Sequence, residues 1–138
     1  MTKASARNMF IGSTIVVSAI LLVLTIKSHQ SYPVRTHPEN ITAQVEWGKK
    51  VWEKHACIDC HTLFGEGAYY APELGNVITR RGEDYVRTVL ETDAIQGWGT
   101  TRKMPKFDLS KQDIDSLIEF FKWMNNVDTN NWPPNKEG

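Results

Sequence analysis

The chain has 138 residues, and its 16 basic and 16 acidic side chains give a formal net charge of zero. This balance, together with the absence of a basic stripe in the sequence, argues against a nucleic-acid-binding protein. The 2 cysteines, Cys57 and Cys60, lie close together, so the chain has no further pair for a disulfide framework or a four-cysteine zinc site. The mean hydropathy of −0.40 averages an uncharged apolar run with a polar remainder.

Residues 9–26 form that uncharged apolar run. As an α-helix it would extend about 27 Å, close to the roughly 30 Å hydrocarbon core of a bilayer. The alternative is a cleaved signal peptide, but no small-x-small cleavage site follows the run, and Lys27 begins a polar segment. The pattern therefore predicts an uncleaved single-pass transmembrane anchor at residues 9–26, preceded by a short N-terminus at residues 1–8.

Residues 27–40 are polar and contain Pro33 and Pro38, each of which favours an extended conformation in the residue before it. We therefore expect a semi-rigid tether at residues 27–40 and a single small domain at residues 41–138. That domain carries 12 basic and 15 acidic side chains, a net charge of −3. A domain of this size builds only a modest core by itself.

Helical signals lie at the two ends of the domain. Thr42 is a plausible N-cap for a helix that runs to about His55, and the helical face it predicts contains Val45, Gly48, Val51 and Trp52. A second helix is predicted from Ser110 to about Asn126, with the capping-box residue Asp113 followed by Ile114, Leu117, Ile118, Phe121 and Met124 at helical spacing. A glycine inside a helix costs about 1 kcal/mol relative to alanine, so Gly48 predicts close approach of the second helix. The fold class is all-α, with almost no sheet.

The segment Cys57-Ile58-Asp59-Cys60-His61 has the attachment pattern of a c-type haem. Each thiol would add to one vinyl group of the porphyrin, and the imidazole of His61 would bind the iron. The alternative is a redox dithiol, which needs a strand-to-helix setting that the flanking sequence does not offer. We predict one covalent haem c. Because this haem is attached outside the bacterial cytoplasm, we expect a cytoplasmic N-terminus, an anchor in the inner membrane and a periplasmic domain.

A methionine is the expected second axial ligand. Met1 and Met9 lie at or before the anchor, and Met124 continues the apolar face of the last predicted helix. Met104 precedes Pro105, which keeps it out of a helix interior and in a loop. Met104 is therefore our candidate for the sixth iron ligand.

The histidines are weaker candidates for that position. His55 lies too near Cys57 to reach the other haem face, and His29 and His37 lie on the predicted tether. Histidine and methionine together leave no open coordination position, which favours electron transfer over catalysis by this chain. A haem-based gas sensor or a peroxidase-like enzyme is the alternative, and either would need a labile sixth ligand.

The order of these motifs resembles class I cytochromes c across the soluble domain. The matching stretches are the glycine-to-tryptophan segment 48–52, the haem motif 57–61, the Pro72-Glu73-Leu74 segment and Met104 with its proline. The resemblance implies that the Pro72 carbonyl accepts a hydrogen bond from the second ring nitrogen of His61. It also implies that Leu74 packs against the porphyrin.

A closer resemblance covers nearly the entire chain. Residues 65–76 and 128–138 are similar to the cytochrome c subunit of bacterial nitric oxide reductase. The resemblance implies a large multi-span partner subunit with b-type haems and a non-haem iron, where two nitric oxide molecules become nitrous oxide and water. This chain would pass electrons to it from a periplasmic cytochrome c or cupredoxin, without catalytic residues of its own. The resemblance also implies an interfacial calcium ion near Gly67 and Tyr69.

Several features fit more than one interpretation. The adjacent Tyr69 and Tyr70 and the tail residue Trp132 suit an interface. Arg80 and Arg81 are candidates for pairing with a haem propionate or a partner carboxylate, or they form a solvated pair. A free-standing membrane-tethered electron shuttle and the c-haem subunit of a cytochrome oxidase remain alternatives to the nitric oxide reductase subunit.

Overall fold

The computed structural model describes residues 2–92 and 103–133. The helices of this part of the chain are α1 (Lys3–Thr36), α2 (Ala43–Lys54), α3 (Val77–Arg81), α4 (Glu83–Glu91) and α5 (Lys111–Asn125), with 3-10 turns at Pro38–Asn40 and Cys57–Asp59. Two short strands, β1 (Thr62–Leu63) and β2 (Glu66–Gly67), pair antiparallel. The mostly helical architecture confirms the predicted fold class. The chain divides into two units, Met1–Thr36 and His37–Gly138.

The first unit is a single helix that is longer than the predicted anchor. None of its described side chains is buried, and it is the one helix in the described ranges that is long and apolar enough to cross a membrane. At 1.5 Å per residue it extends about 50 Å, more than a hydrocarbon core requires. The apolar run at residues 9–26 lies inside it.

The extended conformation expected before Pro33 and Pro38, in the predicted tether at residues 27–40, is wrong: the residue before Pro33 is helical, and His37 is left-handed with φ 47°. Helix α1 continues through Pro33 and ends at Thr36. A proline removes only one N–H donor from a helix, and the Thr36 hydroxyl donates to the Tyr32 carbonyl at 2.9 Å in the same turn. The helix established by the apolar run therefore continues past the proline, and the second unit starts at His37 instead of Ile41.

The second unit is built on the pair of helices α2 and α5. Gly48 faces the backbone of α5 so closely that an added Cβ would overlap the Ser116 carbonyl and lie 2.8 Å from the Cβ of Phe120. The indole N–H of Trp47 also donates to the Asp113 carboxylate at 2.9 Å, between the same two helices. This arrangement confirms the close approach predicted from Gly48.

Both predicted helix starts are confirmed by their caps. The Thr42 hydroxyl accepts the Val45 N–H at 3.3 Å, and Ser110 and Asp113 form a reciprocal capping box. The predicted apolar faces of both helices are buried, and the core also includes Phe120 of α5 together with Val77 and Val86 from α3 and α4. Helix α4 is further linked to α5 by ion pairs that are partly exposed to solvent, and such pairs contribute little to stability singly.

Candidate cofactor site

A cavity of about 580 Å³ lies within the second unit. Its wall is mostly apolar and includes Trp52 of α2, side chains of α3 and α4, and Leu117 and Phe121 of α5. Cys57, Cys60, His61 and Met104 all line the same cavity. The fold therefore brings the four residues predicted to hold a haem to one place, although Met104 is distant from the others in the sequence.

The local backbone explains how the motif presents its side chains. Ala56 lies between helix α2 and the 3-10 turn Cys57–Asp59. It has a left-handed conformation (φ 50°), and the turn begins directly after it. The His61 N–H donates to the Cys57 carbonyl at 2.9 Å. This tight turn brings both thiols and the imidazole to one part of the cavity wall.

The imidazole of His61 is held in a defined tautomer. Its Nδ1 lies 2.8 Å from the Pro72 carbonyl oxygen, the pair that the class I resemblance implies. A carbonyl only accepts, so Nδ1 carries the hydrogen and Nε2 keeps its lone pair. Burial lowers the pKa of His61, against the opposing effect of the Pro72 hydrogen bond. The side chain is therefore a neutral imidazole with Nε2 suited to binding a metal.

The thiols differ from those of a redox dithiol. Burial raises the pKa of Cys57 to about 11, and the nearby Cys60 adds to the effect. Catalytic dithiols need a thiol whose pKa is lowered, because the thiolate is the reactive form. The raised pKa of Cys57 thus disfavours this thiol as the reactive member of a redox dithiol.

Met104 is half-buried and lies outside any helix, as its neighbouring proline predicts. Leu74 lies on the cavity wall as well, and its N–H donates to the carbonyl of the buried Thr62 at 2.9 Å. This bond holds the segment after Pro72 beside the segment after His61.

Two polar atoms on the cavity wall are buried and have no hydrogen-bond partner among the described residues. They are Nε of Arg80 and Oδ1 of Asn76. Arg80 also donates from Nη2 to the Glu73 carbonyl. Burial, followed by the nearby Arg81, lowers the pKa of Arg80, but a guanidinium stays cationic. A half-buried guanidinium with a buried, unused Nε–H fits an anionic arm of a ligand, and haem carries propionates.

The residues present thus fit a c-type haem by their chemistry. The cavity has two free thiols, an imidazole with an available Nε2, a thioether, an apolar wall and a half-buried guanidinium. A generic apolar pocket would require neither the thiols, nor the imidazole, nor the thioether.

Comparison with known proteins agrees with this geometry. The cytochrome c family matches residues 45–125. The C subunit of nitric oxide reductase from Stutzerimonas stutzeri is 44% identical over 99% of this chain and 97% of that protein. The C subunits from Paracoccus denitrificans and Halomonas halodenitrificans are 43% and 38% identical, each over 100% of this chain and 97% of the relative.

The chain belongs to the family of nitric oxide reductase C subunits. Its soluble unit is a cytochrome c domain.

In this member of the family, the glycine-rich loop at residues 64–75 packs tightly behind the haem motif. Gly67 has φ 123°, and an added Cβ would overlap the His61 carbonyl and lie 2.9 Å from Cγ1 of Ile58. Tyr69 is 78% exposed and donates its hydroxyl to the Gly65 carbonyl at 3.1 Å. The described ranges contain no group of three His, Cys, Asp or Glu side chains that could hold a metal ion. The calcium site at Gly67 and Tyr69 stays a prediction.

The tail of the cytochrome c domain approaches the same loop. A Cβ on Gly65 would lie 3.3 Å from Cη2 of Trp132, and Pro133 lines the cavity. Residues 134–138 of the predicted interface tail lie outside the described residues. Trp132 is 39% exposed and Tyr70 is 47% exposed.

Three contributors to the site were not identified from the sequence. Asn76 presents a buried amide to the cavity, Thr62 is 2% exposed beneath the motif, and the Glu73 carboxylate accepts main-chain N–H groups around the loop. Glu73 carried the only signal that could have been used, because an acidic residue among glycines is a candidate acceptor for free main-chain donors.

Proposed function

We propose that this chain is the membrane-anchored electron-transfer subunit of a nitric oxide reductase. It would take electrons one at a time from a periplasmic donor, a small cytochrome c or a cupredoxin, and pass them to a catalytic partner subunit. That partner would hold b-type haems and a non-haem iron and would reduce nitric oxide to nitrous oxide and water. The chain itself would contribute no catalytic residue.

The observation that carries this proposal is the convergence of both predicted iron ligands on one cavity. His61 offers Nε2 because Nδ1 is engaged by the Pro72 carbonyl at 2.8 Å, and Met104 lies on the wall of the same cavity. When bound there, a haem supplies reversible one-electron exchange. His61 and Met104 would both bind the metal and would thereby exclude a substrate from it.

The other residues of the wall would hold and orient the group. Cys57 and Cys60 would form the two thioether bonds, and Leu74 would pack against the porphyrin face. Arg80, with its buried Nε, would donate to a propionate and would neutralise part of its charge. The mostly apolar wall excludes water, which strengthens these polar contacts.

The membrane topology follows from the attachment chemistry. Helix α1 is long and apolar enough to span the bilayer, and c-type haem is attached outside the cytoplasm. We therefore place the short N-terminus in the cytoplasm and the cytochrome c domain in the periplasm of a bacterial inner membrane. The exposed aromatic side chains of Tyr69, Tyr70 and Trp132 would contact the partner subunit, and Gly67 and Tyr69 would help to bind the interfacial calcium ion.

Mild detergent extraction of native membranes tests the proposal. We expect the chain to purify with a large b-haem protein, and we expect the complex to consume nitric oxide with a reduced periplasmic donor. Removing the chain while the partner's haems stay intact should abolish donor-driven turnover.

Four outcomes would contradict the proposal. Elution of the chain alone would favour the free shuttle, copper in the partner would favour a cytochrome oxidase, and unchanged electron delivery without the chain would rule out the subunit role. Rapid carbon monoxide binding to the reduced chain would instead indicate a sensor or a peroxidase-like enzyme.

A further inference from the structure

The Glu73 carboxylate accepts main-chain N–H groups from both sides of the glycine-rich loop. Its Oε1 accepts from Phe64 at 2.9 Å and from Gly75 at 2.7 Å. Its Oε2 accepts from Gly65 at 3.2 Å. Hydrogen bonds to a charged acceptor are stronger than neutral ones. One half-buried side chain thus ties together two stretches of backbone that have no regular secondary structure at these positions.

The backbone around Glu73 is directly joined to the haem motif. The residue before it, Pro72, accepts the hydrogen bond from Nδ1 of His61. The residue after it, Leu74, donates its N–H to Thr62 at 2.9 Å. Any movement of residue 73 therefore moves the acceptor of the imidazole hydrogen bond.

The loop needs this support because its conformation is unusual. Phe64 has φ 53°, a left-handed conformation that is unfavourable for a residue with a side chain. Its N–H and that of Gly65 both donate to the carboxylate. Space is also limited, because a Cβ on Gly75 would lie 2.8 Å from Oε1 of Glu73 and 3.1 Å from the Phe64 ring. The carboxylate has one well-defined place between the two stretches.

We infer that Glu73 is a positioning residue that holds the Pro72 carbonyl against His61 and thereby sets the electron-donor strength of that imidazole. Donation from Nδ1 to a carbonyl raises the basicity of Nε2. A more basic ligand stabilises oxidised iron and lowers the reduction potential. The inference rests on the proposed function, because only an iron-bound imidazole transmits this effect.

The test compares Glu73→Ala and Glu73→Gln in the full chain, matured with haem in bacterial membranes and purified in detergent. The two readouts are the exchange rate of the His61 Nδ1 proton with deuterium, followed by NMR, and the midpoint potential. In Glu73→Ala we expect proton exchange to be roughly tenfold faster and the potential to be higher. In Glu73→Gln the amide oxygen can still accept from Phe64 and Gly75, so both readouts should shift by less.

Glu66→Gln is the matched control, because Glu66 is an exposed carboxylate on the same loop, and it should leave both readouts unchanged. Unchanged proton exchange and potential in Glu73→Ala, even with lower thermal stability, would overturn the inference and leave a purely structural role. If Glu73→Ala does not mature, Glu73→Gln is the test variant. A shift of both readouts in Glu73→Gln then supports the inference, and unchanged readouts overturn it. A parent chain without covalent haem would overturn the proposed function as well. If the parent carries haem but the Glu73 substitutions change neither proton exchange nor the midpoint potential, only this inference is overturned.

Discussion

The α2–α5 pair is held by side-chain packing where the two helices cross closely, whereas residues 57–75, the loop region, are held mainly by main-chain hydrogen bonds. At the crossing, the Ser116 backbone leaves no room for a side chain at Gly48, and the apolar faces of both helices are buried. In the loop region, the Ala71 N–H donates to the Cys60 carbonyl at 2.8 Å and the Leu74 N–H to the Thr62 carbonyl at 2.9 Å.

The difference indicates which part of the domain depends on its cofactor. The helix pair buries most of its apolar side chains within the core, and only Trp52, Leu117 and Phe121 of the pair also border the cavity. The loop region borders a cavity of about 580 Å³, and side chains without packing partners on one side lose dispersion contacts. We therefore expect the loop region to need the haem for its stability, and the helix pair to need it much less.

Removing the attachment site should produce the largest effect. The double substitution Cys57→Ser and Cys60→Ser should abolish covalent haem. The free energies for local opening of residues 57–75 should then approach zero, as in mobile loops, while α2 and α5 keep most of their protection. Hydrogen exchange followed by mass spectrometry measures both regions at once. Equal loss of protection in the helices and the loop would contradict the comparison.

Replacing the predicted sixth ligand changes the haem environment without removing the haem. Met104→Ala should eliminate the weak far-red absorption band typical of sulfur bound to ferric haem, and it should lower the midpoint potential. The matched control is Met124→Leu, because Met124 is 3% exposed in the core and is not expected to bind iron. Survival of the band in Met104→Ala would move the sixth ligand elsewhere.

A change at the helix crossing should act on stability and leave the haem spectrum intact. Gly48→Ala forces a methyl group against the Ser116 backbone and should reduce the free energy of unfolding by about 3 kcal/mol. Lys50→Ala, at an exposed position on the same helix, should change it by less than about 0.5 kcal/mol. Equal free energies of unfolding for the two variants in urea titrations would contradict the expectation. They would show that the two helices can move apart to accommodate the methyl group.

The smallest expected effect is at the start of α5 and depends on pH. Hydrogen bonds from Ser110 and then Trp47 lower the pKa of Asp113 below its ordinary value of 3.8. A carboxyl whose pKa is lower in the folded state stabilises the fold above the unfolded pKa, and this contribution is lost as the pH falls through the folded pKa. Asp113→Ala should therefore cost about 1 kcal/mol near pH 7.

Urea titrations of the parent and Asp113→Ala at pH 7 and at pH 3 measure that contribution. The difference in unfolding free energy should shrink at pH 3. Trp47→Phe removes only the indole donor and should show a smaller pH-dependent loss. A difference between parent and Asp113→Ala that grows at acidic pH would contradict the assignment.

The helix pair could be predicted from the sequence because its signals are local. Caps at Thr42 and Ser110 and the periodic apolar faces place α2 and α5 within one or two residues of their observed ends. Gly48 additionally predicted a contact with a distant segment, because a glycine destabilises a helix unless close packing requires it. Its opposing residue, Ser116, was missed because a serine on a helix is usually exposed.

The loop region could be predicted only in part. The haem motif was identified because its spacing reflects the attachment chemistry, and Pro72 was identified through the resemblance to class I cytochromes c. The partners of Glu73 and Arg80 depend on the path of the backbone through left-handed residues such as Phe64, which composition does not specify. The continuation of α1 through Pro33 was missed for a different reason, because proline preferences are statistical and an established helix overrides them.

The central claim is that a porphyrin is covalently bonded to Cys57 and Cys60. The most direct test is the intact mass of the full chain after denaturation and washing with acidified acetone. We expect a coloured polypeptide whose mass exceeds that of the sequence by one haem. A colourless polypeptide with the bare mass of the sequence would contradict it.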